Sequence, residues 1–91
     1  MLTRTAGMEL GQHDIRLVNI APGAVSALIN ASTESDPAKM KALDRAIPLG
    51  RMAQPSEIAE VVVFLASGQA RYLTSTTVVI DGGIMQGSVG L

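Results

Sequence analysis

The chain has 91 residues with seven Lys or Arg against eight Asp or Glu, and its net charge of −1 is scattered, so no basic stripe exists to neutralise a phosphate backbone and nucleic acid is excluded as a partner. At 47% apolar and 16% charged residues it is too oily for a disordered segment; at this length it can form one modest core, burying roughly 60 to 65% of its unfolded surface. The absence of cysteine excludes disulfides, thiolate chemistry and cysteine-bound metals, and fits a reducing, cytoplasmic location.

In chain order, residues 1 to 10 read as a helix, with Leu2, Ala6 and Leu10 at fourfold spacing, and Gly11 is placed to end it in the left-handed conformation. This stretch lacks the continuous apolar run of a secretory signal. No capping residue precedes it, which predicts a segment of a longer polypeptide. Ile15 to Ala21 is apolar apart from Arg16 and Asn19, the pattern of a strand covered on both faces of a parallel sheet. Pro22 lacks a ladder N–H and Gly23 permits a sharp turn, so the strand is expected to stop there. Residues 24 to 35 read as a loop.

Asp36-Pro37 marks a helix start, because Asp caps free N–H groups and Pro is tolerated at the first helical position. Met40, Leu43 and Ile47 share one face of this helix, which ends near Pro48. The stretch "QPSEIAEVVVFLAS" repeats the device: Pro55 lies in the first turn, Glu57 complements the helix dipole, and Ile58, Val61, Val62 and Leu65 form a core face. Its apolar run, Val61 to Ala66, falls far short of the roughly 18 residues of a membrane span, so no membrane partner is expected. Thr76 to Ile80 is β-branched throughout and leads into Asp81-Gly82-Gly83, a strand followed by a turn. The last residues, from Met85 on, are expected to be mobile unless held by a partner. The long helical crossover makes the two strands parallel. Two parallel strands are too few to stand as a sheet, so the domain is expected to be incomplete.

Three ordered motifs, "MELGQHDIRLVNIAPGAV", "IPLGRMAQPSEIAEVVVFLAS" and "YLTSTTVVIDGG", resemble the C-terminal portion of the short-chain dehydrogenase/reductase family, in particular members like glucose 1-dehydrogenase and 3-oxoacyl reductases. The resemblance covers nearly the whole chain. It implies an α/β fold, the C-terminal part of a Rossmann-like doubly wound parallel sheet with two of its strands and about three helices, in one partial domain over 1–91. It also implies NAD or NADP as cofactor and hydride exchange with a secondary alcohol or ketone. The Pro22-Gly23 corner resembles the family segment beside the nicotinamide, with the backbone around Val25 binding the carboxamide. The implied cofactor residues are Pro22, Gly23, Ala24, Val25 and Ala27. Leu28, Ile29, Met40 and Leu43 fall in the loop and helix that close over substrate in the family, although the helical spacing of Met40 and Leu43 suits ordinary core equally.

Several family features are absent from these residues. The only Tyr, Tyr72, has Thr76 four positions on instead of Lys, and no G-x-x-x-G-x-G turn occurs, so no catalytic residue is assigned and the chain alone is expected to bind NAD(P) weakly or not at all. Ala27 replaces a Thr that hydrogen-bonds the cofactor, and Asn19 lies one place later than the family Asn, which turns it to the opposite face of the strand. Ser75 stands where the family often has Gly, at a position expected to be left-handed. His13, between Gly11 and Asp14, has no second ligand and reads as surface, and Asp81 reads as a turn residue. No metal site is expected.

Two functions compete on this reading. One is a fragment of an NAD(P)-dependent oxidoreductase. The other is a non-enzymatic module that pairs with itself or with a full-length relative through the helix Ile58 to Ser67 and the strand Thr76 to Ile80, motivated by the unpaired strand edge.

Overall fold

The computed structural model describes residues 2–26 and 34–84. Helix α1 (Leu2–Gly11) leads to strand β1 (Val18–Pro22), then to helices α2 (Pro37–Ala46) and α3 (Pro55–Ala66), a 3₁₀ turn (Gly68–Ala70) and strand β2 (Thr76–Ile80). The two strands pair in parallel, from Val18 opposite Thr76 to Pro22 opposite Ile80, as the helical crossover requires. This is the expected α/β unit.

Local chemistry sets most of the boundaries. Asp36 Oδ1 accepts hydrogen bonds from the Ala38 and Lys39 amides at 3.0 and 3.3 Å, and Pro37 occupies the first helical position of α2. Asp81 Oδ1 accepts from the Gly83 amide at 2.8 Å, closing the turn after β2, where Gly82 and Gly83 have φ of 65° and 95°. Ser75 is left-handed at φ 59°, as the family comparison of that position implied.

Four expectations need correction. Strand β1 begins at Val18, not Ile15, because the Leu17 amide bonds to Thr74 Oγ1 at 3.0 Å and not to a backbone carbonyl. It also runs through Pro22. The Gly23 amide donates to Ile80 O at 3.0 Å, so the ladder uses the groups flanking Pro22 and the missing N–H faces away from β2. Gly11 stays within α1, and the left-handed residue that ends the turn is Asp14, at φ 60°, a residue type that tolerates that region. Val62 is 43% exposed and not part of the core.

The core is thin: Ile47, Met52, Leu65 and Ala70 are its buried apolar side chains, and no described strand residue is fully buried. The strand is therefore not covered on both faces by the described residues. A sheet two strands wide offers only a narrow stripe for helices to cover. Arg16, the one charge in the apolar run, spans this gap, donating to Leu65 O at 2.8 Å and to Leu73 O at 3.2 Å. It thereby ties the start of β1 to the end of α3. No helix among the described residues is long and apolar enough to cross a membrane.

Candidate functional site

Parallel strands deliver their carboxyl ends to the same edge, so the Pro22-Gly23 corner and the Asp81-Gly82 turn lie side by side, the usual place for a ligand in an open α/β sheet. Their approach is close. A Cβ on Gly23 would stand 2.7 Å from Asp81 Cβ and 2.9 Å from Asp81 Cα. A shallow recess opens beside the corner, with Ala24, Ala53 and Ile80 on its walls and Arg51 and Glu57 at its rim. The Leu49 amide donates to Gly82 O at 3.1 Å, which ties the segment before α3 to the turn after β2.

Beyond the corner the chain makes one further backbone link. Val25 bridges Ala53 in parallel: the Ala53 amide donates to Ala24 O at 3.0 Å, and the Ser26 amide donates to Ala53 O at 2.8 Å. In this pattern the Val25 backbone N–H and C=O are directed to the side away from Ala53. Ser26 Oγ additionally donates to Glu34.

Ala53 is held in turn by an ion pair. Arg51 meets Glu57 in a two-pronged contact at 2.7 and 2.8 Å, the same guanidinium donates to Met52 O at 3.1 Å, and Glu57 Oε1 accepts from the Gln54 amide at 2.9 Å. The Arg51 hydrogen bonds, then the Gln54 amide, hold the Glu57 carboxyl down at about 2, and Glu57 in turn raises Arg51. A carboxylate with a folded pKa below its unfolded value stabilises the fold above the unfolded value and ceases to do so as pH falls through the folded one. Protonation of Glu57 between pH about 4.5 and about 2 is therefore expected to lower stability, by a small amount because the pair is exposed. Thermal midpoints followed against pH check this, and Glu57→Gln flattens that part of the profile if the assignment holds.

Of the residues singled out in the sequence, Pro22 and Gly23 are exposed at the corner, while Ala24 and Val25 are half-buried beside it. Ala27, Leu28 and Ile29 lie outside the described residues. Met40 and Leu43 are half-buried on α2, and Ile47, next on that face, is buried, with its Cγ2 2.7 Å from where a Cβ on Gly82 would stand. His13 is exposed, and no group of three or more His, Asp or Glu among the described residues is arranged to hold a metal. Sequence reasoning assigned Glu57 only to the helix dipole and passed over Arg51. The available signal was an Arg six residues before a Glu across a helix-starting Pro.

Residues 1–85 match the family model described as enoyl-(acyl carrier protein) reductase. The chain is 43% identical over 84 residues to 3beta-hydroxysteroid dehydrogenase 1 of Eggerthella lenta, covering 92% of this chain and 32% of that protein. It is 41% identical over 85 residues to a short-chain type dehydrogenase/reductase of Sinorhizobium fredii, covering 92% of this chain and 16% of the other. Among solved structures, 4-hydroxyisoleucine dehydrogenase complexed with NADH superposes with a TM-score of 0.90 at 32% identity, covering 96% of this chain and 36% of that one. The chain thus spans about a third or less of the length of these relatives.

Proposed function

Because this chain belongs to the short-chain dehydrogenase/reductase family, we propose that it forms the nicotinamide edge of an NAD(P)-dependent oxidoreductase that interconverts a secondary alcohol and a ketone. The observation that carries this reading is the Val25–Ala53 bridge, which fixes the backbone around Val25 beyond the carboxyl ends of the strands, where a ligand of an open α/β sheet binds. Gly23 supports the same reading: a Cβ there would run into Asp81, so the missing side chain lets the two strand ends close together beside the site. When bound, the cofactor supplies the hydride acceptor or donor. This segment supplies a wall that orients the ring.

No residue of this chain is assigned the acid–base chemistry of the reaction. Tyr72, the one Tyr, is fully exposed and has no Lys four positions on. The isolated chain is expected to turn over no alcohol or ketone and to bind NADH with a Kd no tighter than about 1 mM, near −4 kcal/mol. NADH at millimolar concentration is expected to move the amide resonances of Gly23 to Ser26 and to leave those of α1 in place. Unmoved resonances at those amides overturn the assignment of the nicotinamide edge, and turnover overturns the assignment of the chemistry to residues elsewhere.

A specific observation favours a second role for the same segment. Val62, Val63 and Phe64 on α3 and Val79 on β2 are 43 to 70% exposed, large apolar side chains of the kind that contact with another chain covers. They belong to the helix and strand through which a second copy or a full-length relative would pair. Sedimentation is expected to show association that Val63→Glu reduces; a monomeric parent chain overturns this reading.

A further inference from the structure

The two peptide groups on either side of the Ala53 Cα are each bonded at both ends. In the group joining Met52 to Ala53, the carbonyl accepts from Arg51 at 3.1 Å and the N–H donates to Ala24 O at 3.0 Å. In the group joining Ala53 to Gln54, the carbonyl accepts from the Ser26 amide at 2.8 Å and the N–H donates to Glu57 Oε1 at 2.9 Å. The outer partner is a guanidinium in the first case and a carboxylate in the second, and the two are joined to each other at 2.7 and 2.8 Å.

This arrangement has an electronic and a geometric consequence. A cation on a peptide carbonyl makes the N–H of the same peptide a better donor, and an anion on a peptide N–H makes its carbonyl a better acceptor, so both bonds to the Ala24–Ser26 segment are strengthened by polarisation. The rigid fork of Arg51 holds the Met52 carbonyl and the Glu57 carboxylate in one plane, a geometry that the ammonium of Lys, with its three donors on one atom, does not reproduce. Exposed ion pairs contribute little to stability as such, and this one is more than a third exposed on both sides.

We infer that Arg51 and Glu57 are positioning residues that hold the Val25 backbone in place through the two peptide groups of Ala53. The inference rests on the nicotinamide-edge reading for its functional meaning, while the clamp itself is measurable without any cofactor. Neither residue touches the ring in this account; they act through Ala53.

The test is amide hydrogen exchange on the full chain and on its Glu57→Gln and Arg51→Lys variants. In both variants the Ser26 and Ala53 amides are expected to exchange about tenfold faster, as when a charge-assisted bond is replaced by a weaker one. The Gly23 amide, bonded to Ile80 O across the strand pair, is expected to keep its rate. A purely structural role would speed all three together, so uniform acceleration overturns the inference, as does unchanged exchange at Ser26 and Ala53. Titration with reduced nicotinamide mononucleotide separates this from the broader reading. Selective acceleration with no response of the Val25 amide to the nucleotide keeps the clamp and removes the nicotinamide edge; a response in the parent chain that Glu57→Gln weakens supports both.

Discussion

Gly23→Ala is expected to destabilise the chain by about 3 kcal/mol, although it adds one methyl group at an exposed position. The added Cβ would lie 2.7 Å from Asp81 Cβ and 2.9 Å from Asp81 Cα. The second of these is backbone, so no side-chain rotation relieves the contact. Either β1 or the turn after β2 must move, and the Gly23–Ile80 hydrogen bond at 3.0 Å is the link that opens first. Intact domains of this length have a total stability of about 5 to 13 kcal/mol, so a loss of this size is large for a chain whose described core is four buried apolar side chains. Urea denaturation measures the loss directly. An unchanged midpoint would mean that the corner is looser than its geometry, and the proposed nicotinamide edge would lose its rigid base with it.

The second large effect is Gly7→Ala, where two principles predict opposite signs. In an exposed helix the change from Gly to Ala stabilises by about 1 kcal/mol. Gly7, however, is the buried residue of α1, and its Cβ would lie 2.9 Å from Ser75 Cα and in collision with Ser75 Oγ. Overpacking of this kind costs about 1 to 3 kcal/mol, and here the backbone in the way is itself pinned, since the Ser75 amide donates to Leu17 O at 2.7 Å. The steric term wins, and a net loss of about 1 to 2 kcal/mol is expected. Ser75→Gly acts in the reverse sense, removing the hydroxyl and relieving the left-handed φ of 59°, which costs a non-glycine residue on the order of 1 kcal/mol. The double variant is expected to recover part of the Gly7→Ala loss, a coupling that a double-mutant cycle in urea reads out. Additive effects would show that α1 and the entry to β2 do not touch.

Both predictions bear on how the site is built. Gly7 lets α1 lie against the entry of β2, and Gly23 lets the exit of β1 lie against the exit of β2. Between them the sheet is gripped at its two ends, leaving the carboxyl edge to carry the Val25–Ala53 bridge. The Arg51–Glu57 pair then fastens that bridge from the other side.

Much of this architecture is legible in the amino-acid order because it depends on neighbours in the chain. The Asp36-Pro37 start, the apolar period of α3, the β-branched run of β2 and the turn at Asp81 are decided within four residues of themselves. The parallel pairing follows from the length of the crossover, and the left-handed Ser75 from the family position it occupies. What only the tertiary structure decided depends on neighbours in space. Pro22 enters the strand because its missing N–H faces away from β2, which no local rule reveals. The chain turns at Asp14 and not at Gly11 because Leu10 O accepts from both the His13 and Ile15 amides, at 2.9 and 3.1 Å, carrying the helix through the glycine. Val62 has the periodicity of a core residue, yet the narrow sheet leaves it uncovered. Arg16 and Arg51 are visible as charges, but the carbonyls they hold, 49 positions away for Arg16 and Leu65, are identified by the fold. Hydrophobic period and turn chemistry are short-range properties that a sequence displays, whereas hydrogen-bond partners across the fold exist only once the chain has closed.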